Sequence, residues 1–272
     1  MPSRLPSISL LPFLMILATG PLVAQDQERD RELSCSRPRT WSSDRERACN
    51  LVERTIPVPA GRLEVDSRMN GGIRVVGENR RDILVRALIE SHARTRSRAE
   101  AVLEDVALRV EGARITASGP DSRRNEWWSV TFEVRVPASS DLNLTAHNGG
   151  IAVAGVTGAL RMETLNGGIR LDAVNGDVTA RTTNGGLTVS LAGDGWRGRG
   201  LDATTTNGGV RLSVPEAYSA RLETETVNGG VEIDFPVMVQ GRIGRRITTD
   251  LGRGGPTIRL ITTNGGVTVR RQ

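Results

Sequence analysis

Lysine is absent from all 272 residues, so the 36 basic side chains are arginine throughout. That uniformity reads as the codon bias of a high-GC genome, and the high isoelectric point is no evidence for a selected basic surface. Asp and Glu, 31 in all, are interleaved with Arg along nearly the whole chain, and no basic stripe alternates with stacking aromatics. A nucleic-acid partner is therefore excluded. Aromatic residues make up only 3% of the chain, which excludes a core built around large rings and leaves packing to small and β-branched side chains. There are two cysteines and two histidines. No Gly-x-Ser-x-Gly elbow, phosphate loop, His-Glu-x-x-His or calcium-binding nonapeptide occurs. No metal and no cofactor is expected.

Only one apolar run stands out. Arg4 precedes Ile8 to Ala18, followed by Gly20, Pro21 and Ala24. This pattern predicts a secretory signal peptide over residues 1–25, cleaved after Ala24 or Gln25, and no integral membrane span once it is removed. Residues 26–54 read as a charge-dense leader, with ordered structure starting near Thr55. Inside it, Cys35 and Cys49 are expected to form a disulfide in an oxidising compartment, closing a loop around Trp41. A metal site there lacks ligands, because His92 and His147 are far away in sequence.

From Thr55 onward the apolar residues alternate, as in Ile83, Val85, Ala87 and Ile89, which predicts half-buried strands. One exception, Ser97 to Val106, predicts a short helix. The most informative feature is a triplet, Asn-Gly-Gly or once Asn-Gly-Asp. It begins at Asn70, Asn148, Asn166, Asn175, Asn184, Asn207, Asn228 and Asn264. Apolar residues stand three and five places after every Asn, with a mostly polar residue between them, so each copy launches a strand from a fixed turn. Asn tolerates a left-handed backbone and Gly adopts it freely, so the triplet is expected to make a corner. Asn166, Asn175 and Asn184 are nine apart. That spacing suggests a nine-residue unit of one short strand plus a corner, although a hairpin meander also tolerates it. Identical residue classes at identical offsets favour a solenoid in which the Asn positions stack. Two places before the Asn stand Thr164, Thr182, Thr205, Thr226 and Thr262, expected as a second ladder.

The string LNGGIRLDAVNGDVTARTTNGGLTVS (Leu165 to Ser190), with WWSVTFEVRVPASSDLNLTAHNGGI upstream, resembles the bacterial family of exported putative adhesins, β-strand repeats forming a domain of unknown function. The resemblance covers roughly Ile56 to the C-terminus. It implies a right-handed β-solenoid, a β-helix-like stack of short strands, located in the periplasm, on the outer-membrane surface or outside the cell. The expected organisation is a β-rich part at 55–140, holding the one helix and capping the stack, and a repeat part at 141–272.

Glycoside hydrolysis and lyase chemistry need clustered carboxylates, which on such a stack means acidic residues on adjacent turns. The candidates are Asp172 with Asp177, then Glu223, Glu225, Glu232 and Asp234. Asp172 and Asp177 flank a corner, and the others read as solvated exterior ladders. His147 is expected to be a packing variant and His92 an exposed strand end. The Trp127 and Trp128 pair is expected to point one ring inward and one outward. An ice-binding role for the Thr array is disfavoured by its Arg- and Glu-rich surroundings. The sequence thus points to an exported, non-catalytic binding or structural protein whose partner is a glycan, an envelope polymer or a protein. A carbohydrate-active enzyme and a self-assembling envelope scaffold are the alternatives.

Overall fold

Strands that are apolar on one face must bury that face, and two sheets meet the need by packing their apolar sides together. The computed structural model describes residues 33–36, 45–236 and 244–272. The expected signal peptide and Trp41 lie outside the described residues. The N-terminal part contributes β1 (Glu46–Pro57), β2 (Leu63–Asp66), β3 (Ile73–Glu78), β4 (Asp82–Ala93), α1 (Arg96–Glu104), β5 (Ala107–Glu111), β6 (Arg114–Ser118) and β7 (Trp127–Pro137). Then follow β8 (Leu142–Asn148), β9 (Ile151–Ala154), β10 (Thr157–Asn166), β11 (Ile169–Asp172), β12 (Asn175–Asn184), β13 (Leu187–Ser190) and β14 (Gly200–Asn207). The last elements are β15 (Val210–Val214), β16 (Ala220–Asn228), β17 (Val231–Ile233), β18 (Arg246–Leu251), β19 (Thr257–Asn264) and β20 (Val267–Arg271). Among the described residues regular structure begins at Glu46, earlier than the Thr55 expected, because β1 pairs along its whole length with β4.

The strands form two ten-stranded sheets of mostly parallel strands, a solenoid-like arrangement. The first runs β1-β4-β7-β3-β9-β11-β13-β15-β20-β17 and the second β18-β16-β19-β14-β12-β10-β8-β2-β6-β5. Seven times a second-sheet strand passes through an Asn-Gly-Gly corner into a first-sheet strand: β2 to β3, β8 to β9, β10 to β11, β12 to β13, β14 to β15, β16 to β17 and β19 to β20. The strands joined at each corner lie in different sheets, so the corners are not hairpins. The apolar residues that follow each corner, among them Ile73, Val75, Ile151, Val153, Leu187, Val189, Val267 and Val269, are buried in one core fed by both sheets. In the terminal β17 the equivalent Val231 and Ile233 are only partly buried.

The nine-residue unit is overturned. Adjacent strands pair Asn148 with Asn166 and Asn166 with Asn184, so one rung takes eighteen residues. Asn175 pairs instead with Thr157 at the opposite corner. It is 5% exposed, and its side-chain oxygen accepts from the Arg197 N–H at 3.1 Å. Its Asn-Gly-Asp imitates the motif but anchors the loop before β14, whose Trp196 indole N–H donates to the Gly176 carbonyl at 2.9 Å.

Rung order also departs from chain order. The last rung, β19 and β20, lies between the β14–β15 rung and the β16–β17 rung. At the ends, β18 runs antiparallel along β16, and the β5–β6 hairpin extends the second sheet past β2. The helix starts where Thr95 caps it, accepting from the Arg98 N–H. It seats Ala99 against Ala48 and Ala93.

Candidate functional site

The rung corner is the feature the fold repeats, and its chemistry differs from the left-handed turn expected. Among the described residues, positive backbone φ outside glycine is confined to Arg68 and Ala173, so no corner Asn adopts it. Of the corner glycines only Gly71, Gly176 and Gly265 do. The first Gly is needed for close approach. A Cβ on Gly149, Gly167, Gly185, Gly208 or Gly229 would stand 1.9–2.2 Å from a carbonyl oxygen of the neighbouring rung. Successive corners therefore stack backbone on backbone, and any side chain there would force them apart.

The Asn side chains then form a continuous amide ladder. Asn148 Nδ2 donates to Asn70 Oδ1 at 3.2 Å. Asn166 donates to Asn148, Asn184 to Asn166, Asn207 to Asn184, Asn264 to Asn207 and Asn228 to Asn264, each at 2.8 Å. Every ladder member except the terminal ones spends one N–H and one lone pair on its neighbours. A carboxamide has two of each, so one donor and one acceptor per rung remain for a partner. The Thr residues two places earlier point inward and are buried, which removes them from any ice-binding face. Each caps a neighbouring glycine carbonyl: Thr164 on Gly149, Thr182 on Gly167, Thr205 on Gly185, Thr226 on Gly265 and Thr262 on Gly208, at 2.7–2.8 Å. Where Ala146 replaces Thr, the Ser67 hydroxyl caps Gly71 at 2.9 Å.

Beside the amides runs a second outward row, one residue before each Asn. In rung order it is Met69, His147, Leu165, Thr183, Thr206, Thr263 and Val227. Met69, Leu165 and Val227 are exposed. His147 takes its place in this outer row, half-buried. On the first rung an exposed Arg68 bulges out beside Met69, its carbonyl accepting from the His147 N–H at 3.2 Å. Apart from Arg68 and His147 nothing in the amide and side rows can ionise, whereas a quarter of all residues are charged. The next row inward along the second sheet, Asp66, Thr145, Glu163, Arg181, Thr204, Ile261 and Glu225, returns to mixed charge. The result is a ridge crossing seven rungs, about 29 Å long at ~4.8 Å per step, and uncharged over the five rungs of Asn166, Asn184, Asn207, Asn264 and Asn228.

The acidic candidates are dispersed. Asp172 lies on the first sheet and Asp177 on the second. Asp177 is held by Arg199, whose Nε donates at 2.7 Å; this bond keeps its carboxyl below the usual range, opposite to what a general acid needs. Glu223 pairs with Arg221 at 3.4 Å and Glu225 with Arg246 at 3.8 Å. Asp234 accepts from the Arg271 N–H at 3.2 Å, while Glu232 is exposed on β17. Among the described residues no three His, Cys, Asp or Glu side chains are grouped to hold a metal ion. No helix among them is long and apolar enough to cross a membrane.

Cys35 and Cys49 are bonded, with Cα atoms 5.7 Å apart. His92 is not exposed: it is 8% accessible and stacked on Trp127 at 3.9 Å, and burial lowers its pKa. The nearby Glu90 carboxylate is held by Arg47 at 2.7 Å, and six residues before His92 on β4 Arg86 holds Glu133 at 3.3 Å. The Trp128 indole N–H donates to the Pro120 carbonyl at 2.8 Å and lines a recess of about 230 Å³ beside the bidentate Arg98–Glu126 pair. A second recess of about 200 Å³ lies at the opposite end, lined by Tyr218, Phe235 and Arg271. The Arg271 guanidinium lies over the Phe235 ring, and burial pushes the Tyr218 hydroxyl up to about 12.

The family described as Toastrack DUF4097 matches residues 97–270, more than half of the chain. No curated protein matches it. Solved structures similar to it include a putative cell adhesion protein from Clostridium sporogenes, 11% identical, covering 82% of this chain and 100% of that one, with a TM-score of 0.44. A putative adhesin from Bacteroides fragilis is also 11% identical, covering 82% and 97%, with a TM-score of 0.29. A putative lipid binding protein from Parabacteroides distasonis is 11% identical, covering 81% and 96%, with a TM-score of 0.26.

Proposed function

The chain belongs to the Toastrack DUF4097 family, a domain of unknown function, and from that premise we propose that it is an exported, non-catalytic binding protein of the cell envelope whose amide ridge docks an uncharged linear glycan. In this reading the coil is right-handed. Residues 1–25 are removed on export to the periplasm, outer-membrane surface or medium; the charged leader of 26–54 runs into β1, and the 55–140 part, which itself supplies the β2–β3 rung, caps the repeat part at 141–272. The Cys35–Cys49 disulfide fits an oxidising compartment.

The observation that carries the reading is the ridge, uncharged over five successive rungs. Its amides recur once per rung, each with a spare donor and acceptor, and its side row adds methyl groups and hydroxyls. A neutral polysaccharide presents hydroxyls and C–H faces that recur along its length in the same way. At about 1 kcal/mol net for each hydrogen bond, five rungs supply about 5 kcal/mol before the cost of association, so a single ridge binds weakly. Affinity would rise with glycan length as more rungs engage.

The test is a glycan array followed by calorimetry on neutral polysaccharides of graded length. The double variant N184D/N207D places carboxylates in the ladder and is expected to abolish binding; R161Q, on the charged row outside the ridge, is expected to retain it. Retained binding in N184D/N207D, or no neutral glycan bound at all, refutes the ridge. Shortening of any bound polysaccharide by the protein refutes the non-catalytic reading.

A further inference from the structure

The C-terminal rung enters the stack out of turn. Following the amide ladder, Asn184 is succeeded by Asn207, then Asn264, and only then Asn228. Residues 257–271 therefore fill a slot between two rungs that precede them in the chain, with partners on both sides in both sheets. We propose that this rung, β19 with β20, is exchangeable: it leaves its slot and occupies the same slot of a second copy, giving a strand-swapped dimer. The inference does not depend on what the ridge binds.

Three observations carry it. First, the slot accepts nothing peculiar to its occupant. On one side Gly208 N–H donates to the Asn264 carbonyl at 3.0 Å and Val210 N–H to Gly266 at 2.9 Å. On the other, Gly265 N–H donates to Asn228 at 3.1 Å and Val267 N–H to Gly230 at 2.9 Å. The Thr262 and Thr226 hydroxyls and the Asn264 and Asn228 amides complete the set. These are the bonds every rung makes, as where Gly185 N–H donates to Asn207 and Leu187 N–H to Gly209. A rung from another chain would satisfy the slot equally.

Second, the occupant carries its own apolar face: Ile258, Leu260, Val267 and Val269 are fully or almost fully buried. A rung withdrawn from its slot exposes that face and leaves a matching gap, so the open form is stabilised most by filling such a gap in a second copy. Third, the connection to β18 is short and hinge-like. Residues 252–256 read Gly-Arg-Gly-Gly-Pro, and Gly252, Gly254 and Gly255 have φ of 55°, 73° and 143°. Because the slot contacts are the same in monomer and dimer, hinge conformation and effective concentration decide between them.

The test uses the full chain with the Cys35–Cys49 bond kept oxidised. Thr204 and Ile261 are register partners across β14 and β19 on the outer face. T204C and I261C are made separately, mixed at high concentration, incubated and then oxidised. Exchange predicts a covalent dimer containing both chains, at a yield that rises with concentration; each variant alone gives little. The T204C/I261C double variant, oxidised when dilute, should cross-link within one chain, and failure there would overturn the register and the proposal with it. Deleting Arg253 and Gly254 should raise the dimer fraction by roughly tenfold, whereas inserting five Gly-Ser residues should lower it. No mixed dimer at the highest soluble concentration overturns the proposal, whether or not the deletion variant folds.

Discussion

Replacing Gly185 with Ala should unfold the protein far more readily than replacing its neighbour Gly186. Neither glycine lies in the left-handed region, so on backbone grounds alone both substitutions would stabilise by about 0.4–1 kcal/mol through the unfolded state. The two differ in what a methyl group meets. At Gly185 it would stand 2.0 Å from the Gly167 oxygen and 2.4 Å from the Gly167 carbon, against 3.4 Å for ordinary contact. Relief requires the corners to separate by more than 1 Å, stretching the Gly167 N–H bond to Asn184 at 3.0 Å and the Asn184 amide bond to Asn166 at 2.8 Å. Two weakened bonds at about 1 kcal/mol each, with overpacking of about 1–3 kcal/mol, give a loss of about 3 kcal/mol. At Gly186 the nearest atom is the Gly209 oxygen at 3.2 Å, which a shift of a few tenths of an ångström relieves. G186A should therefore stay within about 1 kcal/mol of the parent. Thermal unfolding followed by circular dichroism should show G185A lower in Tm by about 6–12 °C and G186A within about 4 °C. Equal shifts for the two variants would refute the argument that corner stacking, and not turn conformation, selects the first glycine.

Other consequences follow from the same geometry. T205V removes the hydroxyl that caps Gly185 and leaves a partly buried carbonyl unmet, so it should cost about 1–3 kcal/mol in denaturant titration, whereas T206V, exposed on the outer face, should stay within about 0.5 kcal/mol. His92 has its pKa lowered by burial, so the unfolded chain binds the proton first; stability should be level above about pH 6.5, fall as pH drops toward the folded value, and fall less in H92F. Asp177 has its pKa lowered by Arg199, so its contribution is present above the unfolded carboxylate range and is lost as pH falls through the folded value. D177N should flatten the acid limb of a Tm-versus-pH curve, and an unchanged limb would contradict the pairing. Reducing Cys35–Cys49, which are 14 residues apart, should lower stability by about 3 kcal/mol, read by unfolding with and without reductant.

Much of this architecture is legible in residue classes. Period-two alternation places Ile73 and Val75, Ile169 and Leu171, and Val267 and Val269 on the inner face, because a strand offers only two faces and water decides between them. The helix is legible from a stretch without Gly or Pro, although its cap at Thr95 sits before the expected start. The rung length is not legible, since Asn175 copies the motif at the wrong corner and halves the apparent period. The reason for glycine also escapes the sequence: a residue needed for absent bulk and one needed for positive φ look the same until the neighbouring rung is in place. Rung order is hidden for a related reason, because equivalent rungs carry no label that distinguishes neighbours. His92 reads as exposed because the Trp127 ring that covers it comes from β7, far along the chain. The ridge was partly visible as a row of Asn, but its lack of charge emerges only when the residues before each Asn are aligned across strands.

The eighteen-residue rung is the claim on which ridge, ladder and slot all stand, and spin-label distances test it most directly. Arg161 and Thr179 are register partners on adjacent rungs, with Cα atoms about 5 Å apart, so labels there should interact strongly. Arg161 and Arg170, nine residues apart, lie on the outer faces of different sheets, and labels there should be well separated. Strong coupling between positions 161 and 170, with weak coupling between 161 and 179, would mean a nine-residue coil and would contradict the account.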